Sequence, residues 1–154
     1  MEKYQTRESY SIQFKKATVA DVPILLELEK SVAEEGYYSA YSDDLQGEIE
    51  NNHVFLIEKD GQIIGFTSYE KEGSDVVHMD SLVIRPDFQS QGIGKQATLY
   101  RLQEIGNAKR IDVTTHPDNF RVIKLYQSLG FVIESRKENY YGDGQPRLVL
   151  VKEN

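Results

Sequence analysis

Two glycines opening a helical pattern carry the clearest chemistry in this sequence. In Gln89-Ser90-Gln91-Gly92-Ile93-Gly94-Lys95 a polar loop leaves one apolar run and enters another of helical rhythm. The first turn of a helix has backbone N–H groups without helical acceptors and the positive end of a dipole. Glycine there lets an anion come close to the backbone. The stretch reads as a seat for a pyrophosphate. A nucleoside-triphosphate loop would need Gly-x-x-x-x-Gly-Lys-Ser/Thr, and Gln at 89 and 96 breaks it. Gly92-Ile93-Gly94-Lys95-Gln96-Ala97 matches G-x-G-x-x-A, but that fingerprint follows its strand at once. Here Arg85 to Gln91 intervene, so the match reads as accidental.

The elements that must hold this turn follow from periodicity. Met1 to Tyr10 is a polar lead-in. A strand from Ile12 to Ala17 precedes a capping box at Thr18–Asp21 and a helix over about 20–34, ended by Gly36. A loop holding Tyr37, Tyr38 and Tyr41 leads to a short helix at Asp43–Asn51. Strands at His53–Lys59 and Gln62–Tyr69 are joined by Asp60-Gly61, a strong hairpin signal. A third strand, carrying His78 and Asp80, completes an antiparallel meander. After the glycine turn, Ala97, Leu99, Leu102 and Ile105 mark the inner face of a helix that Gly106 stops. A strand at Lys109–Thr115, a helix through Val122, Leu125, Tyr126 and Leu129, and strands at Phe131–Lys137 and Arg147–Lys152 complete the chain. The order β-α-α-β-β-β-α-β-α-β-β predicts one α+β domain over 1–154 with mixed strand directions.

Composition limits the function. The chain has 154 residues and no cysteine, which excludes disulfides, thiolate metal sites and a cysteine nucleophile. No metal-ligand spacing is present. A net charge of −7 makes nucleic acid a poor partner and suits a cationic one, although solubility alone accounts for such charge. With neither a leader pattern nor an apolar run of membrane length, no membrane partner and a cytoplasmic location are expected.

Gln89-x-x-Gly92-x-Gly94 after Val83-Ile84-x-Pro86 resembles motif A of the GNAT family of N-acetyltransferases. Asn119-Phe120-Arg121-Val122-Ile123-Lys124-Leu125-Tyr126-Gln127-Ser128-Leu129-Gly130-Phe131 resembles the family's motif B. The resemblance implies the GNAT acyl-coenzyme A fold, a mixed seven-stranded sheet flanked by about four helices. It implies acetyl-CoA as cofactor, with the amides of Gln89, Ser90, Gln91, Gly92, Ile93, Gly94 and Lys95 on the pyrophosphate. Leu82, Val83 and Ile84 would pair with the pantetheine like an added strand. Asn119 would bind the pantetheine arm, and Tyr126 would stand by the sulfur.

The implied reaction is direct attack of a primary amine on the acetyl thioester. An alkyl ammonium has a pKa of about 10 and must lose a proton first. Tyr126 suits the acid that protonates the leaving thiolate; its alternative is a core aromatic. His78 and Asp80 share one face of a regular strand. By resemblance either of them, or a water relay, is the base, and Asp80 could instead orient His78 or hold the substrate ammonium. Tyr37, Tyr38 and Tyr41 would line the acceptor pocket. Glu138-Asn139-Tyr140-Tyr141 and the Gly/Asp-rich turn resemble the tail of ribosomal-protein N-terminal acetyltransferases, but the position of their glutamate base is Thr114 here. A small amine or polyamine is therefore the expected acceptor, with a protein N-terminus second and a non-catalytic acyl-CoA sensor third. A homodimer is the assembly that family analogy suggests.

Overall fold

The computed structural model describes residues 12–33 and 45–154. Its elements are β1 (Ile12–Lys16), α1 (Val22–Val32), α2 (Leu45–Asn51), β2 (His53–Lys59), β3 (Gln62–Glu72), β4 (Val76–Ile84), α3 (Ile93–Ile105), β5 (Arg110–Thr115), α4 (Phe120–Ser128), β6 (Val132–Lys137) and β7 (Arg147–Glu153). The expected order and the seven-stranded mixed sheet are both found. The strands lie in the order β1-β2-β3-β4-β5-β7-β6, and β4–β5 is the parallel pair. The expected Met1–Tyr10 lead-in and the Tyr37, Tyr38 and Tyr41 loop lie outside the described residues.

Alternation along β2 divides the core. Val54 and Leu56 face α1 and α2, packing with Leu25, Leu28, Val32, Leu45 and Ile49. Phe55 and Ile57 face the opposite layer, where α3 and α4 supply Ile93, Ala97, Ile105, Ile123 and Tyr126. Thr18 and Asp21 form the expected capping box, the carboxylate accepting the Thr18 N–H at 2.8 Å. It opens a single 3-10 turn, Val19–Asp21, ahead of α1.

One expectation about α3 fails. Leu99 is 46% exposed, while the buried residues Ile93, Ala97, Arg101 and Ile105 recur every fourth position. The inner stripe is centred on an arginine, which a search for apolar periodicity passes over.

Two features of β4 shape the site. It pairs with β5 from Val76↔Arg110 only as far as Met79↔Val113, although both strands continue. Beyond that point the sheet splays, while Leu82, Val83 and Ile84 remain paired to β3. Their other edge therefore faces the gap. In addition, Thr67 pairs with Leu82 but Tyr69 pairs with Met79, so β4 carries one extra residue at Asp80–Ser81. Such a bulge breaks strict alternation and re-aims side chains. Gly65 lets the same strands close up, since a Cβ there would lie 2.2 Å from the Val83 carbonyl oxygen.

Candidate active site

The splay opens a cleft of about 1330 Å³ that collects residues from β4, the glycine turn, β5, α4 and the β6–β7 turn. At one end, Gly92 takes φ 80° as the residue before α3, and Ser90 takes φ 64°. Both conformations belong to the left-handed region, which is cheap for glycine and costly for serine. They turn the loop so that the first amides of α3 face the cleft. The Gln96 N–H bonds back to the Gly92 carbonyl at 3.2 Å, so the amides before it lack a helical acceptor.

Two glutamines brace this turn. The Gln89 side chain donates to the Ile84 carbonyl at 2.9 Å and accepts from Arg121 at 3.3 Å. Gln91 accepts from Lys59 Nζ at 2.7 Å. Arg85 pairs with Asp87 at 3.1 Å and lies over the Phe88 ring. Lys95 and Arg121 line the cleft and bring positive charge to this end. The donor set suits a pyrophosphate: backbone amides at a helix start, flanking cations, and glycine where a side chain would intrude.

Asn119 is the N-cap of α4, with φ −84° and ψ 70°. A cap asparagine ordinarily accepts from the helix amides. Here the carboxamide makes no such bond and lines the cleft, where it can donate to and accept from a ligand. Tyr126 is 2% exposed, and its hydroxyl accepts a hydrogen bond from Arg101 at 3.2 Å. Leu82, Ile84, Asn119 and Tyr126 thus line the cleft together.

The other end is acidic. Asp80, Glu48, Glu70 and Asp112 line it, together with His78 and Thr114. The exposed surface of Asp80 opens into the cleft. Burial among the surrounding walls, followed by the charges of Glu70 and Glu48, pushes its carboxyl up to about 7, against the opposing pull of His78 and Arg101. His78 is held by carboxylates other than Asp80. Its Nδ1 meets Asp112 and its Nε2 meets Glu72, each at 2.6 Å. Burial would depress the imidazolium, but the hydrogen bonds and charges of Asp112 and Glu72 outweigh it and leave the pKa raised. Both ring nitrogens are occupied, so the orienting role expected of Asp80 toward His78 falls to Asp112 and Glu72. That pairing joins residues of β3, β4 and β5, which strand alternation alone does not bring to one ring.

Tyr140 and Tyr141 form the rim in an edge-to-face pair, centroids 4.8 Å apart. Arg147 lies 5.1 Å over the Tyr141 ring and donates to Asp143 at 2.8 Å. Thr114 hydrogen-bonds Tyr141. His116 is a buried turn residue: its Nδ1 accepts the Asp118 N–H at 3.0 Å, and its Nε2 faces Gln145. The sequence reading missed Glu48, Glu70, Asp112 and Arg101. None belongs to a motif, and a polar residue at an inward position of an otherwise apolar element was the available signal for Arg101.

Solved structures share this architecture. Naa50 of Arabidopsis thaliana, in complex with the bisubstrate analogue CoA-Ac-MVNAL, aligns with a TM-score of 0.79 at 19% identity, over 94% of this chain and 99% of that one. The fold is that of acyl-coenzyme A N-acyltransferases. The acetyltransferase (GNAT) family model matches residues 22–131, and the chain belongs to that family. It is thus an N-acetyltransferase, with acetyl-CoA as cosubstrate and an amine as acceptor. An N-alpha-acetyltransferase of Sulfurisphaera tokodaii is 25% identical over 97% of this chain and 98% of its own. Spermine/spermidine N(1)-acetyltransferase of Bacillus subtilis is 30% identical over 47% of this chain and 54% of its own. No helix among the described residues is long and apolar enough to cross a membrane.

Proposed function

We propose that this enzyme acetylates the primary amine of a small cationic acceptor, with a polyamine as the favoured class. The observation that carries the reading is the crowding of Glu48, Glu70 and Asp80 at the acceptor end of the cleft, where the charges of Glu70 and Glu48 act on Asp80. Ionised carboxylates so close together repel one another, and an ammonium group relieves that repulsion. An extended acceptor with several ammonium groups would meet more than one of them.

In this reading the glycine turn, Gln89 to Lys95, holds the pyrophosphate, and Leu82, Val83, Ile84 and Asn119 hold the pantetheine. The acceptor enters as an ammonium ion and gives a proton to Asp80, whose raised pKa of about 7 suits a base working near neutrality. His78, clasped on both sides, keeps the floor of the acidic end in place and contributes positive charge when protonated. Tyr126 protonates the leaving thiolate.

A protein N-terminus is the second reading. It is favoured by the full-length likeness to an N-alpha-acetyltransferase and by the aromatic rim of Tyr140 and Tyr141. The test is release of free thiol from acetyl-CoA with polyamines, amino acids, amino sugars and peptides of varied N-termini as acceptors. The protein has no cysteine, so a thiol reagent sees only product. Turnover highest on spermidine or spermine supports the proposal. Turnover confined to peptides replaces it with the second reading. Cofactor binding with no turnover on any acceptor would favour a sensor.

A further inference from the structure

Arg101 is the largest fully buried side chain among the described residues, with 0% exposure. Burial of an unpaired charge is expensive, so a guanidinium inside a core normally has a carboxylate. Among the described residues no carboxylate forms a salt bridge with Arg101, although its charge acts on Asp80, and its Nε has no hydrogen-bond acceptor. Its Nη1 donates to the carbonyls of Ser68 and Ser81 at 3.3 and 3.4 Å, where they flank the β4 bulge. Its Nη2 donates to Thr98 Oγ1 and to the Tyr126 hydroxyl oxygen, both at 3.2 Å.

The direction of these bonds matters. Thr98 spends its own proton on the Gly94 carbonyl at 2.8 Å, so it can only accept from Arg101. Tyr126 likewise accepts from Arg101, and its own O–H remains free to donate into the cleft. A continuous chain therefore runs from the first turn of α3, through Thr98 and Arg101, to the phenol.

We propose that Arg101 is a positioning residue for catalysis, a buried cation that aims the Tyr126 O–H at the leaving sulfur and stabilises the phenolate left behind. The proposal rests on Tyr126 being the acid. When the amine nitrogen bonds to the acetyl carbon, the C–S bond breaks and its electron pair stays on sulfur. Sulfur takes the proton of Tyr126, and the phenolate faces the Arg101 Nη2–H. The surplus proton on the new amide nitrogen returns to the phenolate through water, while Asp80 releases the proton it took from the acceptor to solvent. The reaction thus yields the acetamide, the free thiol and one proton. The guanidinium, which touches no carboxylate in the resting protein, meets an anion at the step where negative charge appears, which is the arrangement that stabilises a transition state more than a ground state.

Arg101 also ties the bulge together, and a double-mutant cycle separates the two roles. Arg101→Met is expected to lower kcat at least about ten-fold, less than the loss of a donor that touches the anion of the substrate itself, because Arg101 acts through Tyr126. The KM for acetyl-CoA should stay within about two-fold, because the phosphate loop is untouched. In a Tyr126→Phe background the same change should alter kcat less than about two-fold, because the group it serves is gone. Arg101→Lys, which keeps the charge, should recover part of the loss. Equal losses in the Tyr and Phe backgrounds would assign Arg101 to the bulge alone and overturn the proposal. If Arg101→Met fails to fold, Arg101→Lys and Arg101→Gln in both backgrounds give the same comparison: charge-dependent kcat with Tyr126 present supports it, and charge-independent kcat overturns it. Wild-type turnover with an unaffected Tyr126→Phe variant would instead refute the acid assignment itself.

Discussion

Asp80→Asn should make the protein more stable and the enzyme slower, with both effects following pH. Below pH 3.8 the carboxyl is neutral folded or unfolded and costs nothing. As pH rises toward about 7, the unfolded chain ionises first and the folded state loses ground. Above about 7 the penalty is complete. Because the carboxylate opens onto a wet cleft, solvent screening holds the penalty to about 1–2 kcal/mol. Asparagine carries no charge, so the variant should melt about 3–6 °C higher at pH 8 and be nearly unchanged at pH 4. The rate should move the other way. If Asp80 accepts the proton of a bound ammonium, kcat/KM for the acceptor rises through pH about 7, is level, and falls as the acceptor amine loses its proton near about 10. The variant can use only neutral amine, so its kcat/KM should climb without a plateau and lie about 10²–10⁴-fold lower at pH 7.5. Thermal melts across pH and initial rates by thiol release measure both. A variant that keeps the plateau, or melts lower at pH 8, would refute the reasoning.

Three further outcomes are expected. Tyr126→Phe should reduce kcat by about 10²-fold, as loss of a general acid does, with coenzyme A affinity by calorimetry unchanged. Gly65→Ala puts a methyl 2.2 Å from the Val83 carbonyl, a backbone atom that cannot move alone, so it should cost about 3 kcal/mol or more and weaken coenzyme A binding through the displaced β4 edge. His78 has a raised pKa, so its pairing with Asp112 and Glu72 stabilises fully below its unfolded value of 6.5 and is lost as pH rises through the folded value. His78→Gln should therefore lower the melting temperature more at pH 6 than at pH 9; equal losses at both would count against the ion pairs.

Much of the protein was legible in the order of its residues. The hairpin at Asp60-Gly61, the glycine turn and the helical run to Gly130 are local signals, readable because turn chemistry and periodicity act over a few neighbours. They sufficed for the order of elements along the chain and for the two motifs that carry the family resemblance. Side-chain traffic across the sheet was another matter. The bulge at Asp80–Ser81 is a property of how β4 pairs with β3, which alternation along β4 alone could not show, although His78 and Asp80 still both line the cleft. His78 finds its partners on β3 and β5, and Glu48 reaches the cleft from α2. Arg101 sits at the centre of a stripe that apolar periodicity could not name. A sequence determines which segments form and what groups they carry, because those preferences are short-range. Only the packed chain decides which charges share a low-dielectric space, because burial and proximity across the sheet set whether a carboxylate, an imidazole or a guanidinium is left with a partner.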